Sequence, residues 1–172
     1  MNICLLGASG SIGQQTLDVI EKNPNDFTLV SFSVGKRHEC ISHILKKHKH
    51  VSHIYLADDN AKKLYEKKYK DIVFYSHDEN KINDLIINSN NEMVVNALVG
   101  FVGLLPSITA LENNKKLALA NKESLVVGGA YINKLLKRGK GILYPIDSEH
   151  SALWKCFHKF SRRSKIYRVA LQ

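Results

Sequence analysis

Four short stretches carry residue types able to do chemistry. The first is Gly7-Ala8-Ser9-Gly10-Ser11-Ile12-Gly13, between the apolar run Ile3-Cys4-Leu5-Leu6 and an amphipathic stretch containing Ile12, Thr16, Leu17 and Ile20. Glycines permit positive φ and the close approach of a bulky anion. A helix starting there offers unpaired N–H groups and partial positive charge to a phosphate. The spacing is G-x-x-G-x-x-G, looser than the G-x-G-x-x-G dinucleotide fingerprint, so a tight strand–helix connection is the competing reading. The second stretch is Gly35-Lys36-Arg37. An NAD-binding fold places an acid at this strand end to grip the ribose 2′-hydroxyl. Two cations here suit a 2′-phosphate instead, which favours NADP(H) over a plain surface turn.

The third stretch is Asn121-Lys122-Glu123, after Leu119-Ala120. Lys122 is placed to meet an anion or a polarised oxygen, and Asn121 and Glu123 could hydrogen-bond a nicotinamide or a ribose. A helix cap at Asn121 or Ser124 accounts for the same residues. The fourth is Asp147-Ser148-Glu149, followed by His150. Carboxylates two apart in an extended segment face one side. They suit a hard divalent ion such as Mg²⁺ or Mn²⁺, with Ser148 able to donate to a substrate oxygen. Asp147 could equally cap a following helix.

The elements that position these stretches follow from hydrophobic periodicity. Strands are expected at 3–6, 27–34, 51–57, 72–75, 93–96, 116–120 and 142–144, with a last one at 166–171. Helices are expected at 38–48, 59–68, 79–88, 104–113 and 124–137, besides the first, carrying Ile12, Thr16, Leu17 and Ile20, and one carrying Leu153, Trp154 and Phe157. Strands alternating with helices imply parallel pairing through right-handed crossovers, hence an α/β, doubly wound, Rossmann-like, mostly parallel sheet with helices on both faces. Ligands of such sheets bind beyond the carboxyl ends of the strands.

The 172-residue chain is long enough for one good core, and its 44% apolar and 24% charged residues are those of a globular protein. No apolar run is long enough to span a bilayer, and with a strand expected next to Met1 no leader is expected. Cys4, Cys40 and Cys156 lack metal spacing, so reduced thiols and a cytosol-like compartment are expected. The net charge of +9 gathers in Lys46-Lys47-His48-Lys49-His50 and in Lys62, Lys63, Lys67, Lys68 and Lys70. These lysines share helix-patterned segments with no interleaved aromatic platform, which reads as solvated helix faces rather than a nucleic-acid or membrane surface.

Taken in order, the glycine turn, Gly103-Leu104-Leu105-Pro106, Leu119-Ala120-Asn121-Lys122-Glu123-Ser124-Leu125 and Pro145-Ile146-Asp147-Ser148-Glu149-His150-Ser151-Ala152 resemble the 1-deoxy-D-xylulose 5-phosphate reductoisomerase family across nearly the whole chain. That resemblance implies an NADP-dependent oxidoreductase that uses NADPH and Mg²⁺ or Mn²⁺. Its reaction isomerises and reduces 1-deoxy-D-xylulose 5-phosphate to 2-C-methyl-D-erythritol 4-phosphate, in non-mevalonate isoprenoid biosynthesis. It assigns Ser9, Gly10, Ser11 and Ile12 to the cofactor pyrophosphate, Gly35, Lys36 and Arg37 to the adenosine phosphate, and Asn121 and Glu123 to the nicotinamide side. Asp147 and Glu149 become metal ligands, Lys122, Ser148 and Glu149 substrate contacts, and Lys122 and Glu149 catalytic groups. Arg37 departs from the uncharged polar residue of many relatives, which strengthens the NADPH expectation.

The family's chain is more than twice as long. The expected organisation is therefore an NADPH-binding domain over 1–145 and the beginning of a truncated catalytic and metal-binding domain over 146–172. This chain is expected to be an N-terminal fragment with little turnover alone. The parent enzyme is expected to be a homodimer with a phosphorylated sugar substrate and no nucleic-acid or membrane partner. Its compartment would be the bacterial cytoplasm, or a plastid or apicoplast after loss of a leader. The competing functions are the cofactor domain of another NAD(P)-dependent dehydrogenase, such as a semialdehyde or homoserine dehydrogenase, and a basic nucleic-acid-binding module.

Overall fold

The structure, a computed structural model, describes residues 1–76 and 81–146. Its strands are Asn2–Leu6 (β1), Thr28–Val34 (β2), His53–Leu56 (β3), Val73–Tyr75 (β4), Met93–Asn96 (β5), Lys116–Leu119 (β6) and Ile142–Pro145 (β7). Between them run the helices Ser11–Lys22 (α1), Ile41–Lys47 (α2), Asp59–Lys68 (α3), Lys81–Asn88 (α4), Leu104–Glu112 (α5) and Lys122–Lys137 (α6). A 3₁₀ turn, Phe101–Gly103, leads into α5. The expected strand at 166–171 and the helix carrying Leu153, Trp154 and Phe157 lie outside the described residues.

The strands form one sheet in the order β4-β3-β2-β1-β5-β6-β7, and every neighbouring pair is parallel. The chain steps outward from β1 to β4, then returns to the other side of β1 and steps out from β5 to β7. Loops after β1 and β5 therefore leave in opposite directions, which opens a crevice at the carboxyl edge. Register carries one row along that edge: Leu6 opposite Asn96, Asn96 opposite Leu119, and Leu119 opposite Pro145.

β1 is buried on both faces, which is why it reads as an uninterrupted apolar run. Ile3 and Leu5 join one core with Leu17 and Ile20 of α1, Ile41, Ile44 and Leu45 of α2, and Ala61 of α3. Cys4 and Leu6 face the opposite core, with Leu85 and Ile86 of α4, Leu104, Ala110 and Leu111 of α5, and Ile132 and Leu135 of α6. Fully burying each of these leucine and isoleucine side chains contributes about 1.5–3 kcal/mol. This two-sided burial fixes β1 at the centre, and with it the turn that follows.

Lysines of the basic clusters fall on last helical turns, Lys46 and Lys47 in α2 and Lys67 and Lys68 in α3, where cations complement the helix dipole. Lys47 also meets Glu21 at 2.7 Å. Among the described residues no helix is long and apolar enough to cross a membrane.

Most strand and helix ends differ from the periodicity by one or two residues, and two helix starts differ for a visible reason. α2 begins at Ile41 because residues 38–40 form a turn, in which the His38 carbonyl accepts from the Ile41 N–H at 3.1 Å and the Tyr65 hydroxyl at 2.9 Å. α6 begins at Lys122, one residue after its cap, so Lys122 and Glu123 belong to its first turn.

Candidate functional site

The glycine turn sits at the centre of the carboxyl edge. Gly7 turns the chain out of β1 with φ +84°, a conformation that favours glycine. Gly10 is the N-cap of α1 and provides no side-chain hydrogen bond. With no capping oxygen, the first N–H groups of α1 remain available to an outside anion. α3 is the contrast. Asp58 caps it by accepting from Asn60 N at 2.8 Å and Ala61 N at 3.0 Å, and those bonds, the Ala61 one foremost, hold its carboxyl below the usual range.

β2 holds this turn from the side. The Gly7 N–H donates to the Ser33 hydroxyl and the Ala8 N–H to the Ser33 carbonyl, each at 2.9 Å. Ser33 is buried, and the sequence reading did not single it out. The available signal was the alternation Ser31, Phe32, Ser33 inside a strand whose other residues from Leu29 onward are apolar and buried. Past β2, Gly35, Lys36 and Arg37 are exposed on the same edge, and Arg37 Nη2 donates to the Ser9 carbonyl at 2.6 Å. The first two stretches are therefore physically joined.

Asn121 follows β6 and is buried. Its side-chain NH₂ donates to the carbonyls of Leu98 and Gly100, both at 2.8 Å, and its Oδ1 accepts from the Ser124 N–H at 2.9 Å and from the Ser124 hydroxyl. Two donors and two acceptor positions are thus all used within the protein. The capping alternative describes this side chain, which also ties the loop after β5 to α6. Gly103 is glycine because a β-carbon there would lie 2.7 Å from the Asn121 Cγ. Asn96 completes the support, donating to the Gly103 carbonyl and the Ser107 hydroxyl at 2.8 Å each. Lys122 is exposed and Glu123 half-buried beside it at the same edge.

β7 ends at Pro145, and the Ile146 N–H donates to the Leu119 carbonyl at 3.0 Å, which keeps residue 146 on that edge. Asp147, Ser148, Glu149 and His150 lie outside the described residues. Among the described residues no group of three or more His, Cys, Asp or Glu side chains could hold a metal ion.

This architecture defines a doubly wound, Rossmann-like α/β protein. The model of the 1-deoxy-D-xylulose 5-phosphate reductoisomerase family matches residues 3–129, and the chain belongs to that family. A curated relative of that name from Geobacillus kaustophilus is 41% identical over 154 residues, covering 90% of this chain and 40% of its own. One from Clostridium novyi is 40% identical over 169 residues, covering 90% and 41%. The chain thus spans about two fifths of the length of these relatives. A DOX-P reductoisomerase solved in complex with NADPH, fosmidomycin and magnesium superposes with a TM-score of 0.82 at 32% identity, covering 91% of this chain and 38% of that one. The Zymomonas mobilis enzyme in complex with NADPH gives 0.80 at 28% identity, covering 91% and 41%. Homoserine dehydrogenase from S. aureus, at 20% identity and a TM-score of 0.52, shares the fold alone.

Proposed function

We propose that this chain is the cofactor-holding part of an enzyme that isomerises and reduces 1-deoxy-D-xylulose 5-phosphate to 2-C-methyl-D-erythritol 4-phosphate with NADPH and a divalent metal. The observation that carries the reading is an uncapped helix start reached by the guanidinium of Arg37. Gly10 leaves the N–H groups of α1 unspent, and Arg37 reaches this turn from the end of β2. Ser9, Gly10, Ser11 and Ile12 would hold the pyrophosphate, and Gly35, Lys36 and Arg37 the 2′-phosphate. The two phosphate sites then lie as neighbours on one edge. The capped α3, its first N–H groups taken by Asp58, offers no such donors.

The proposed division is an NADPH-binding domain over 1–145 and the opening of the catalytic domain over 146–172. NADPH supplies the hydride, and the protein orients it against the substrate. Asn121, through the loop it ties down, and Glu123 would border the nicotinamide side. Lys122, exposed at the carboxyl edge, would offset negative charge on the substrate. Asp147 and Glu149 are oxygen donors suited to Mg²⁺ or Mn²⁺, which would polarise substrate oxygens there. Glu149 would share the catalytic role with Lys122, and Ser148 would contact the substrate. The same reading takes the intact enzyme to be a cytoplasmic homodimer.

Fluorescence titration of the 172-residue chain with NADPH and NADH tests the cofactor assignment. Tighter binding of NADPH is expected, with the preference abolished by Lys36→Glu together with Arg37→Glu. Equal affinity for both cofactors in the parent chain would contradict the assignment of the second strand end.

A further inference from the structure

We propose that Arg37 has a second task besides contacting the 2′-phosphate: through Ser9 it holds the glycine turn in the shape that receives the pyrophosphate. The inference rests on the cofactor reading above and gives one of its residues a positioning role.

The Ser9–Gly10 peptide is gripped at both ends. Its N–H donates to the Gly7 carbonyl at 3.0 Å, and its C=O accepts from Arg37 Nη2 at 2.6 Å. A carbonyl presents the negative end of the peptide dipole. One left free to swing toward a phosphate site would repel the ligand and leave the turn disordered. The guanidinium fixes that carbonyl and offsets its partial charge in a single charge-assisted bond. Gly10, lacking a side chain, cannot provide the restraint itself.

Arg37 is anchored for this task. Its own carbonyl accepts from Cys40 Sγ at 3.4 Å, and the adjacent His38 carbonyl is pinned by Tyr65 from α3. The His38 ring also packs edge-on against Tyr65, with centroids 5.9 Å apart. The Lys36 side chain makes no hydrogen bond or ion pair among the described residues, so the two neighbouring cations differ in what they touch.

That difference separates the two roles. NADH has the pyrophosphate but lacks the 2′-phosphate, so it reports on the turn alone. Isothermal titration of the 172-residue chain with NADPH and NADH compares the parent with Lys36→Ala, Arg37→Ala and Arg37→Lys, after matching their thermal melts. Lys36→Ala is expected to lower the NADPH-to-NADH preference about tenfold, whereas Arg37→Ala weakens both cofactors, NADH also by about tenfold, as loss of one charge-assisted bond implies. Because the contact is a single bond and not a bidentate fork, Arg37→Lys is expected to restore NADH binding to within about threefold of the parent.

If Arg37→Ala leaves NADH affinity within about twofold of the parent while NADPH affinity falls, the arginine reads only the 2′-phosphate. The positioning role is then refuted, and the cofactor reading survives. Failure of Arg37→Lys to restore NADH binding also overturns it. A parent chain that binds neither cofactor defeats the cofactor reading itself.

Discussion

Gly13 of α1 lies against the carbonyl of Gly7, so closely that a β-carbon at position 13 would also sit 2.8 Å from the Ala8 Cα. Helix and turn are in backbone contact, and this sets the depth at which the α1 terminus meets the crevice. The nearest atoms to that point are all backbone, so no side chain can rotate to make room.

Gly13→Ala therefore sets helix propensity, which favours alanine by about 1 kcal/mol, against overpacking, which costs about 1–3 kcal/mol. With rigid backbone as the obstacle, overpacking wins, and a net loss of up to about 2 kcal/mol is expected in urea denaturation. Gly10→Ala is the internal control. Its β-carbon meets only the Gly7 carbonyl, at 3.3 Å, and its φ of −82° suits any residue. It is expected to change stability by less than about 1 kcal/mol.

Asn121 joins the loop after β5 to the start of α6 through its four side-chain hydrogen bonds. Removing it leaves the Leu98 and Gly100 carbonyls without these donors and α6 without its cap. Asn121→Ala is expected to cost about 2 kcal/mol in chemical denaturation, from the lost cap and the unsatisfied half-buried carbonyls together. Glu123→Gln, two residues along the same turn and half-buried, is expected to stay within about 0.5 kcal/mol. Equal effects of the two substitutions would contradict the bridging role.

Burial pushes the Cys4 thiol from its ordinary 9.0 up to about 12, against weaker opposing pulls from the Ser31 hydroxyl and the Lys115 ammonium. The unfolded chain releases this proton near pH 9 and the folded chain only near 12. Stability from this group is therefore complete below pH 9 and lost progressively as pH rises from 9 toward 12. Between about pH 8 and 11 the parent is expected to lose roughly 2 kcal/mol more than Cys4→Ala over the same interval. Identical pH slopes in urea melts of the two would contradict it. A thiol reagent at about pH 8 is expected to reach Cys4 only on unfolding.

The alternation of elements was legible because strands buried on both faces read as short apolar runs. The run from Met93 to Asn96 is a case in point, appearing as a strand with the bounds that the pattern implies. The helix 59–68 also matches, because Asp58 and Asp59 mark its start and Lys67 and Lys68 its end. Strand order was not legible, since periodicity records burial but not neighbours. The bond from Arg37 to Ser9 spans 28 positions, and local spacing carries no trace of it. Asn121 illustrates a harder ambiguity. The same residue type can cap a helix or bind a ligand, and only the positions of Leu98, Gly100 and Ser124 show how its side chain is used. The strand ends were correctly expected to share one edge as far as residue 146, because parallel pairing leaves them nowhere else to go.

The most direct test of the account is an amide NMR titration of the ¹⁵N-labelled chain with NADPH. Chemical-shift changes are expected to concentrate at Ser9, Gly10, Ser11 and Ile12 and at Gly35, Lys36 and Arg37. NADH should move the first group and leave the second nearly unperturbed. Shifts confined to other parts of the sheet, or none at saturating NADPH, would contradict the claim that the uncapped start of α1 receives the cofactor's pyrophosphate.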